Sequence, residues 1–515
     1  MTEDQAKYKQ ALNLEKDGKY KDALTLARNI DHPGARAGLL IDCGFGIGKP
    51  SIIRQGIDIF QELFRKGDSG ISKASLLYNI GNGYYAIYKL RRQKGGKVVP
   101  PNDDDLRNAK RFYRESLSEI KGNSPTARSQ TQVNYGNCLS AMGRSFEAID
   151  VFNEALKSEP KNGMAAGNLG AELNRIADIT GKYRHYYLRA AFDMLSNALS
   201  TEMHLSYGGL EARLGIKNTR DHIKAIIDAH KGGIEHLQKV DLSAKNEAEQ
   251  VYMHFCLNNR LFLNAWAGDP NVSPATKDEI SFGPITTSVG DAETVPTLLQ
   301  IINEIKEAFA TARYLLYLSQ SNSDLLGNLS KLTSYFDFEV ETEHDLSIGF
   351  CKSAYMLSFD ILDKVARIVN IYFKIGKDRD SFWDVFAEKQ SRGESHVTRF
   401  VTRPGIILKN NYSLYALSDL CIDYFESEHL DLKTIDTCRN LLTHDYLAVV
   451  LNKNDKPYIE NSITKEELYR QTLSVLYLAK YAILYTVSAI YLSENANQGG
   501  GKSLNIKYET KWGNK

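Results

Sequence analysis

Of the eleven histidines in this chain, only His444 has an arginine, Arg439, five to seven residues before it. The pair lies in the segment CRNLLTHDY (438–446), where Asn440 directly follows the arginine. A histidine titrates near neutral pH, so His444 can accept or give a proton under ordinary conditions. An arginine stays charged and can bond two oxygens of one phosphate, so Arg439 suits negative charge that develops on phosphorus-bound oxygens. Asn440 lies one helical turn before His444 and can orient the ring or a phosphate. Together the three residue types suit proton transfer beside a phosphate. Spacing alone is a weak signal, because a chain of this composition holds such a pair about once by chance.

Other chemistries find less support. GFGIGKPS (44–51) glances at a phosphate-binding loop, but Cys43 stands where the first glycine belongs and Pro50 replaces the hydroxyl residue after Lys49. It reads as a turn between helices. Asp103, Asp104 and Asp105 suit the start of a helix, where carboxylates accept backbone N–H bonds and favour the dipole, better than a cation site. The histidines show no metal-ligand spacing, and the six cysteines form no Cys-x-x-Cys pair. No metal and no cofactor is expected, and the scattered cysteines point to a reducing compartment.

The elements that must position Arg439 and His444 are helices. Proline is scarce, at 12 of 515 residues, and apolar residues recur at helical spacing nearly throughout. The motif itself sits among Ile435, Leu441, Leu442, Leu447 and Val449 at that spacing. The expected class is all-α. Beyond residue 205, helices are expected over 218–239, 243–264, 293–318, 345–374, 381–390, 411–426, 431–450 and 464–493, lengths that suit a bundle. A loop is expected over 267–291, which is rich in Pro, Gly, Ser and Asp. The stretch 472–492 carries one charge, Lys480, and is long enough to cross a bilayer. Lys480 falls mid-span, and Tyr477, Tyr481, Tyr485, Thr486, Ser488 and Tyr491 share the segment, so a core helix is the better reading and no membrane is expected. The net charge of +1 supplies no whole-protein attraction to nucleic acid or membrane. The polar start MTEDQAKYKQ has no apolar run of the kind that directs secretion, so a cytoplasmic location is expected.

Upstream, the chain repeats itself. In residues 132–160, Gly136, Ala148, Phe152, Ala155 and Pro160 fall at offsets 0, 12, 16, 19 and 24. Gly136 and Ala148 allow two antiparallel helices to approach, Phe152 and Ala155 fill the space beneath, and Pro160 ends the second helix. Weaker copies place Ala11 twelve residues before Ala23, Gly81 and Tyr84 before Ala109 and Tyr113, and Gly170 before Ala191, Leu195 and Ala198. Residues 33–67 lie in register between two of them. With about five copies, the first 200 residues resemble the tetratricopeptide-repeat family. That resemblance implies a curved solenoid whose concave face binds a protein or peptide partner; the alternative is a scaffold or dimerisation arm.

The motif and its surroundings carry a second resemblance. RLFLNAW (260–266), ATARYLLY (310–317), KSAYMLSFDILDKVARIVNIYF (352–373), NNYSLYALSDL (410–420) and CRNLLTHDYLAV (438–449) follow one another in an order that resembles a bacterial HEPN subfamily often found behind tetratricopeptide arrays. The resemblance spans 250–493. It implies a bundle of four to five helices that forms a homodimer, and a metal-independent endoribonuclease site built from both copies of Arg439, Asn440 and His444. RNA brings its own nucleophile, the 2′-hydroxyl, which accords with a site consisting of a proton carrier and a fixed positive charge. Asp363, in SFDILDK, is a candidate partner for Arg439 or His444, and equally a helix-surface ion pair. Arg392, Arg399, Arg403 and Lys409 are candidates for holding RNA phosphates, or simply a solvated loop. Many HEPN ribonucleases cut cellular RNA, so the resemblance suggests a toxin or anti-phage effector. The competing reading is an inactive scaffold that acts through binding and dimerisation.

These readings divide the chain into a repeat array (1–205), a helical connector with a loop (206–290), a HEPN-like bundle (291–495) and a flexible tail (496–515).

Overall fold

The computed structural model describes residues 2–67, 70–96, 99–122, 124–180, 183–200, 209–229, 239, 241–243, 245–266, 273–287, 293–320, 324–336, 342–375, 381–392, 397–426, 430–450, 461–497 and 504–506. Among these, side chains are not described at 209–210, 273–274, 324–325, 391–399, 425–426, 430–436, 497 and 504–506. The described residues are predominantly helical with little sheet, which makes the fold all-α as its apolar periodicity predicts. The chain divides into two compact units, Met1–Ile234 and Glu235–Lys515.

The first unit is a series of helices packed in chain order. They are α1 (Glu3–Lys16), α2 (Tyr20–Ala27), α3 (Pro33–Ile47), α4 (Pro50–Lys66), α5 (Lys73–Gln93), α6 (Asp104–Glu119), α7 (Pro125–Ala141), α8 (Ser145–Ser158), α9 (Gly163–Thr180), α10 (Arg184–Ala198) and α11 (Gly209–Ala229). Each odd-numbered helix up to α9 pairs with the next, and each pair packs on the following one. The spacing read from the sequence has a direct structural counterpart. A Cβ built on Gly136 would stand 2.5 Å from the Phe152 ring, and Ala148, Phe152 and Ala155 are buried. Only a glycine lets α7 approach α8 so closely.

Both rejected motifs are helix ends. Gly48 closes α3 with φ +76°, and Pro50 opens α4, so the glycine-rich segment is a helix–turn–helix junction. Asp103 caps α6, accepting from the N–H groups of Asp105 and Leu106 at 3.1 Å. Arg91 pairs with both Asp103 and Asp105, and Arg54 reaches Asp105 at 3.2 Å. Asp103 and Asp105 therefore hold helices together. Among the described residues no three His, Cys, Asp or Glu side chains gather as a metal-holding group.

The second unit contains α12 (Glu247–Asn258), α13 (Thr294–Ser319), α14 (Asp324–Ser330), α15 (Leu346–Phe373), α16 (Phe382–Phe386), α17 (Pro404–Leu408), α18 (Tyr412–Glu426), α19 (Leu430–His444) and α20 (Lys465–Asn497). Its core is a bundle of α13, α15, α18 and α20, with α19 laid against α15, α18 and α20. Helix α20 is long and apolar enough to cross a membrane, yet its most apolar stretch is 67% buried within the protein. Two of its polar side chains bond to carbonyls elsewhere in the unit. Lys480 Nζ donates to the Arg260 carbonyl at 2.6 Å, and the Tyr477 hydroxyl to the Asn259 carbonyl at 2.9 Å. Asp345 fixes the start of α15 by accepting from Ile348 N–H at 2.7 Å, and it also pairs with Lys465 at the start of α20.

Several boundaries differ from those read in the sequence. The helix expected over 381–390 ends at Phe386, and the chain continues as β2 (Ala387–Arg392), paired antiparallel with β3 (Val397–Thr402). Ser418 of α18 secures this hairpin, donating to the Phe386 carbonyl and lying 2.8 Å from the Thr402 hydroxyl. The helix expected over 431–450 stops at His444. The β-branched residues of β4 (Ala448–Val450) then pair in parallel with β5 (Ser462–Thr464). The 267–291 loop holds β1 (Ile285–Thr287), and the tail expected to be flexible supplies β6 (Leu504–Ile506) to pair with it. These short pairings satisfy backbone groups across nearby turns and, for β1 and β6, between residues far apart in sequence, which helical periodicity does not reveal.

Candidate functional site

The candidate residues Arg439, Asn440 and His444 occupy the last turns of α19. Helical hydrogen bonding persists past the motif, since Asp445 N–H donates to the Leu441 carbonyl at 3.0 Å. Cys438 anchors the helix in the bundle at 2% exposure, and burial pushes its thiol up to about 11. Asn440, Thr443 and His444 are exposed, and Arg439 is half-buried.

Arg439 faces inward. Its guanidinium lies 5.6 Å from the centre of the Phe359 ring on α15, a cation–π contact. Phe359 meets Tyr424 edge-on at 6.1 Å, and Tyr424 stacks on Trp383 at 4.1 Å. These rings form a wall behind the arginine. Asp363 lies one turn beyond Phe359 on α15. Desolvation raises its carboxyl pKa above the usual range, while the Phe382 N–H and the Arg439 charge pull it down. Asp363 is exposed as a residue, so its raised pKa reflects the protein packed beside the carboxyl rather than burial of the side chain. It accepts from Phe382 N–H at 3.0 Å, so it also holds the start of α16. Of the two partners expected for Asp363, Arg439 is the one whose charge it feels.

The motif residues do not share one face. Five helical steps turn Arg439 and His444 roughly 140° apart, whereas Asn440 and His444 are roughly 40° apart. Arg439 packs against α15, and Asn440 and His444 present a polar face to solvent. Within one chain the arginine and the histidine look in different directions.

Residues 289–493 match the LA2681-like HEPN family model. The match begins just before α13 and ends in the last turns of α20, so it covers the whole bundle and the motif helix. No curated protein matches the chain.

The residues expected to hold RNA phosphates are distributed differently within the HEPN-like domain. The side chains of Arg392 and Arg399, on β2 and β3, lie outside the described residues. Arg403 is largely enclosed and pairs with Glu388 at 3.5 Å and Asp384 at 4.0 Å, so it fastens the hairpin rather than extending into solvent. Lys409 is exposed just after α17.

Lys352, Met356 and Phe359 complete the surroundings and were not legible as site residues. With Asp363 they form a stripe along α15 that runs beneath α19. Thr443 Oγ1 lies 3.9 Å from Met356 Sδ and donates to the Arg439 carbonyl at 2.8 Å. The helical spacing of the stripe is visible in sequence, but nothing in it indicates that α19 lies across it. His344 precedes α15 and lines a cavity with Asp445 and Tyr446, immediately after His444. No sequence signal links it to the motif, because 100 residues separate His344 from His444.

Proposed function

We propose that the HEPN-like domain is a metal-independent endoribonuclease whose site is assembled from two copies of the chain. The observation that supports this most is the placement of the ordered Arg439–Asn440–His444 set at the exposed end of a helix in a HEPN-matched bundle. In this reading the RNA 2′-hydroxyl attacks the adjacent phosphorus. The 2′-O–P bond forms and the P–O5′ bond breaks. His444 of one copy takes the 2′-hydroxyl proton, and His444 of the other gives a proton to the departing 5′-oxygen. Arg439, charged and braced against Phe359, offsets the charge on the non-bridging oxygens. A second copy supplies the convergence of arginine and histidine that one helix does not, given the roughly 140° between them. The paired helices of the first unit serve as a tetratricopeptide-type arm that binds a protein or peptide partner. The whole acts in the cytoplasm as a toxin or anti-phage effector.

The scaffold reading has one observation in its favour. Arg439 already has structural work, between Phe359 and Asp363. A single assay separates the two. Wild type, His444→Ala and Arg439→Ala are compared on RNA without added metal, at equal folding and dimer content. Cleavage by wild type alone supports the ribonuclease. Equal cleavage by all three excludes this site, and cleavage by none favours the scaffold.

A further inference from the structure

Beside His444 the surface holds a cavity of about 460 Å³, a volume in the range of small-molecule sites. His344, Lys352, Leu442, Asp445 and Tyr446 line it. Two aromatic surfaces flank it. The His344 ring stacks on Tyr335, with centroids 5.2 Å apart and planes 15° apart, and Tyr446 is 55% exposed. The histidine is held in place. Glu343 N–H donates to the Val449 carbonyl at 2.7 Å, and His344 Nε2 lies 3.1 Å from Thr342 Oγ1. The Lys352 ammonium donates to the Leu447 carbonyl at 2.7 Å, which places a cation at the cavity wall. Asp445, the one acid among the described lining residues, lies 3.4 Å from the Asn461 amide nitrogen.

Flat aromatic surfaces around an open cavity beside a cation match one ligand chemistry, a base with its phosphate. Single-stranded RNA is recognised by stacking its bases on tyrosine and histidine rings. We propose that His344 and Tyr446 form a stacking subsite for the RNA base next to the scissile phosphate, with Lys352 holding that nucleotide's phosphate. The inference rests on the ribonuclease reading for its place in the reaction, but the binding it requires is measured without cleavage.

The test uses the full-length His444→Ala protein and a labelled single-stranded oligoribonucleotide, read by fluorescence anisotropy. Adding Tyr446→Ala or His344→Ala is expected to weaken binding about tenfold, the loss of roughly one stacked base. Tyr446→Phe and His344→Phe keep a flat ring and are expected to retain most of the affinity. Unchanged binding in both alanine variants would overturn the subsite. So would alanine variants that alter self-association in sedimentation but not RNA binding, since the patch would then be a protein contact. Adenosine monophosphate that binds as tightly as the oligomer would also overturn it, as the cavity would then hold a free nucleotide. The two readings fail separately. A wild type that never cleaves, with binding that still depends on Tyr446, removes the ribonuclease and keeps the subsite. Cleavage with binding insensitive to both residues does the reverse.

Discussion

Arg439 and Phe359 are in cation–π contact, 5.6 Å from guanidinium to ring centre, although 80 residues separate them in the chain. The contact sets the direction of the arginine. Arg439→Lys keeps the charge but loses the planar group that stacks and the fork that grips two oxygens. On the proposed ribonuclease reading, cleavage should fall at least about tenfold. Stability should change by no more than about 1 kcal/mol, the usual worth of such a contact at a partly exposed site. Single-turnover cleavage and thermal melts on the same preparations check both.

Asp363 joins two tasks, and substitutions separate them. Asp363→Ala removes the acceptor of the Phe382 N–H, and that phenylalanine is fully buried, so a cost of about 1–3 kcal/mol is expected. Asp363→Asn keeps the acceptor and removes the charge facing Arg439. It should fold normally and cleave more slowly. The folded carboxyl has a raised pKa, so its contribution to stability is present at low pH and is lost as pH rises above the ordinary range of 3.8. Asp363→Asn should therefore flatten the acid limb of the stability profile, which melts at stepped pH would show.

Asp42 in the first unit makes a sharper pH case. Desolvation first, then Glu15, pushes its carboxyl up to about 6, against the opposing charge of Lys89. A folded pKa above the unfolded value favours folding below about pH 4 and opposes it as pH rises through 6. Asp42→Asn should then stabilise the protein at pH 7 and have little effect at pH 4. Because Asp42 keeps solvent contact, solvent screening makes the gain smaller than the shift alone implies. A gain that is equal at both pH values would rule out this account.

Arg313 holds α13 to the segment that precedes it. It grips both oxygens of Asp278 at 2.8 Å, donates to the Leu261 carbonyl and the Tyr252 hydroxyl, and lies over the Phe262 ring. Asp278 also accepts from Leu263 N–H. Arg313→Met leaves this carboxylate without its cation, and a loss of about 3–5 kcal/mol is expected. The double variant Arg313→Met/Asp278→Asn should recover part of it. Chemical denaturation of the two variants measures the difference.

The all-α class and the paired helices of the first unit were legible in the sequence. They depend on periodicity, which a short window of chain carries by itself. The close approach at Gly136 was legible for the same reason, since its partner Phe152 lies only sixteen residues away. Arg439, Asn440 and His444 could be singled out because they share one helical segment. Only the tertiary structure decided what each faces. Arg439 turned to Phe359 and Asp363, while His444 stayed in solvent beside a cavity whose other ring, His344, comes from 100 residues earlier. The same holds for the hairpin after Phe386, the strand after His444 and the return of Leu504–Ile506 to Ile285–Thr287. Strand pairing and ring contacts join residues whose separation in the chain is arbitrary. Their energy belongs to the packed arrangement and not to any local pattern.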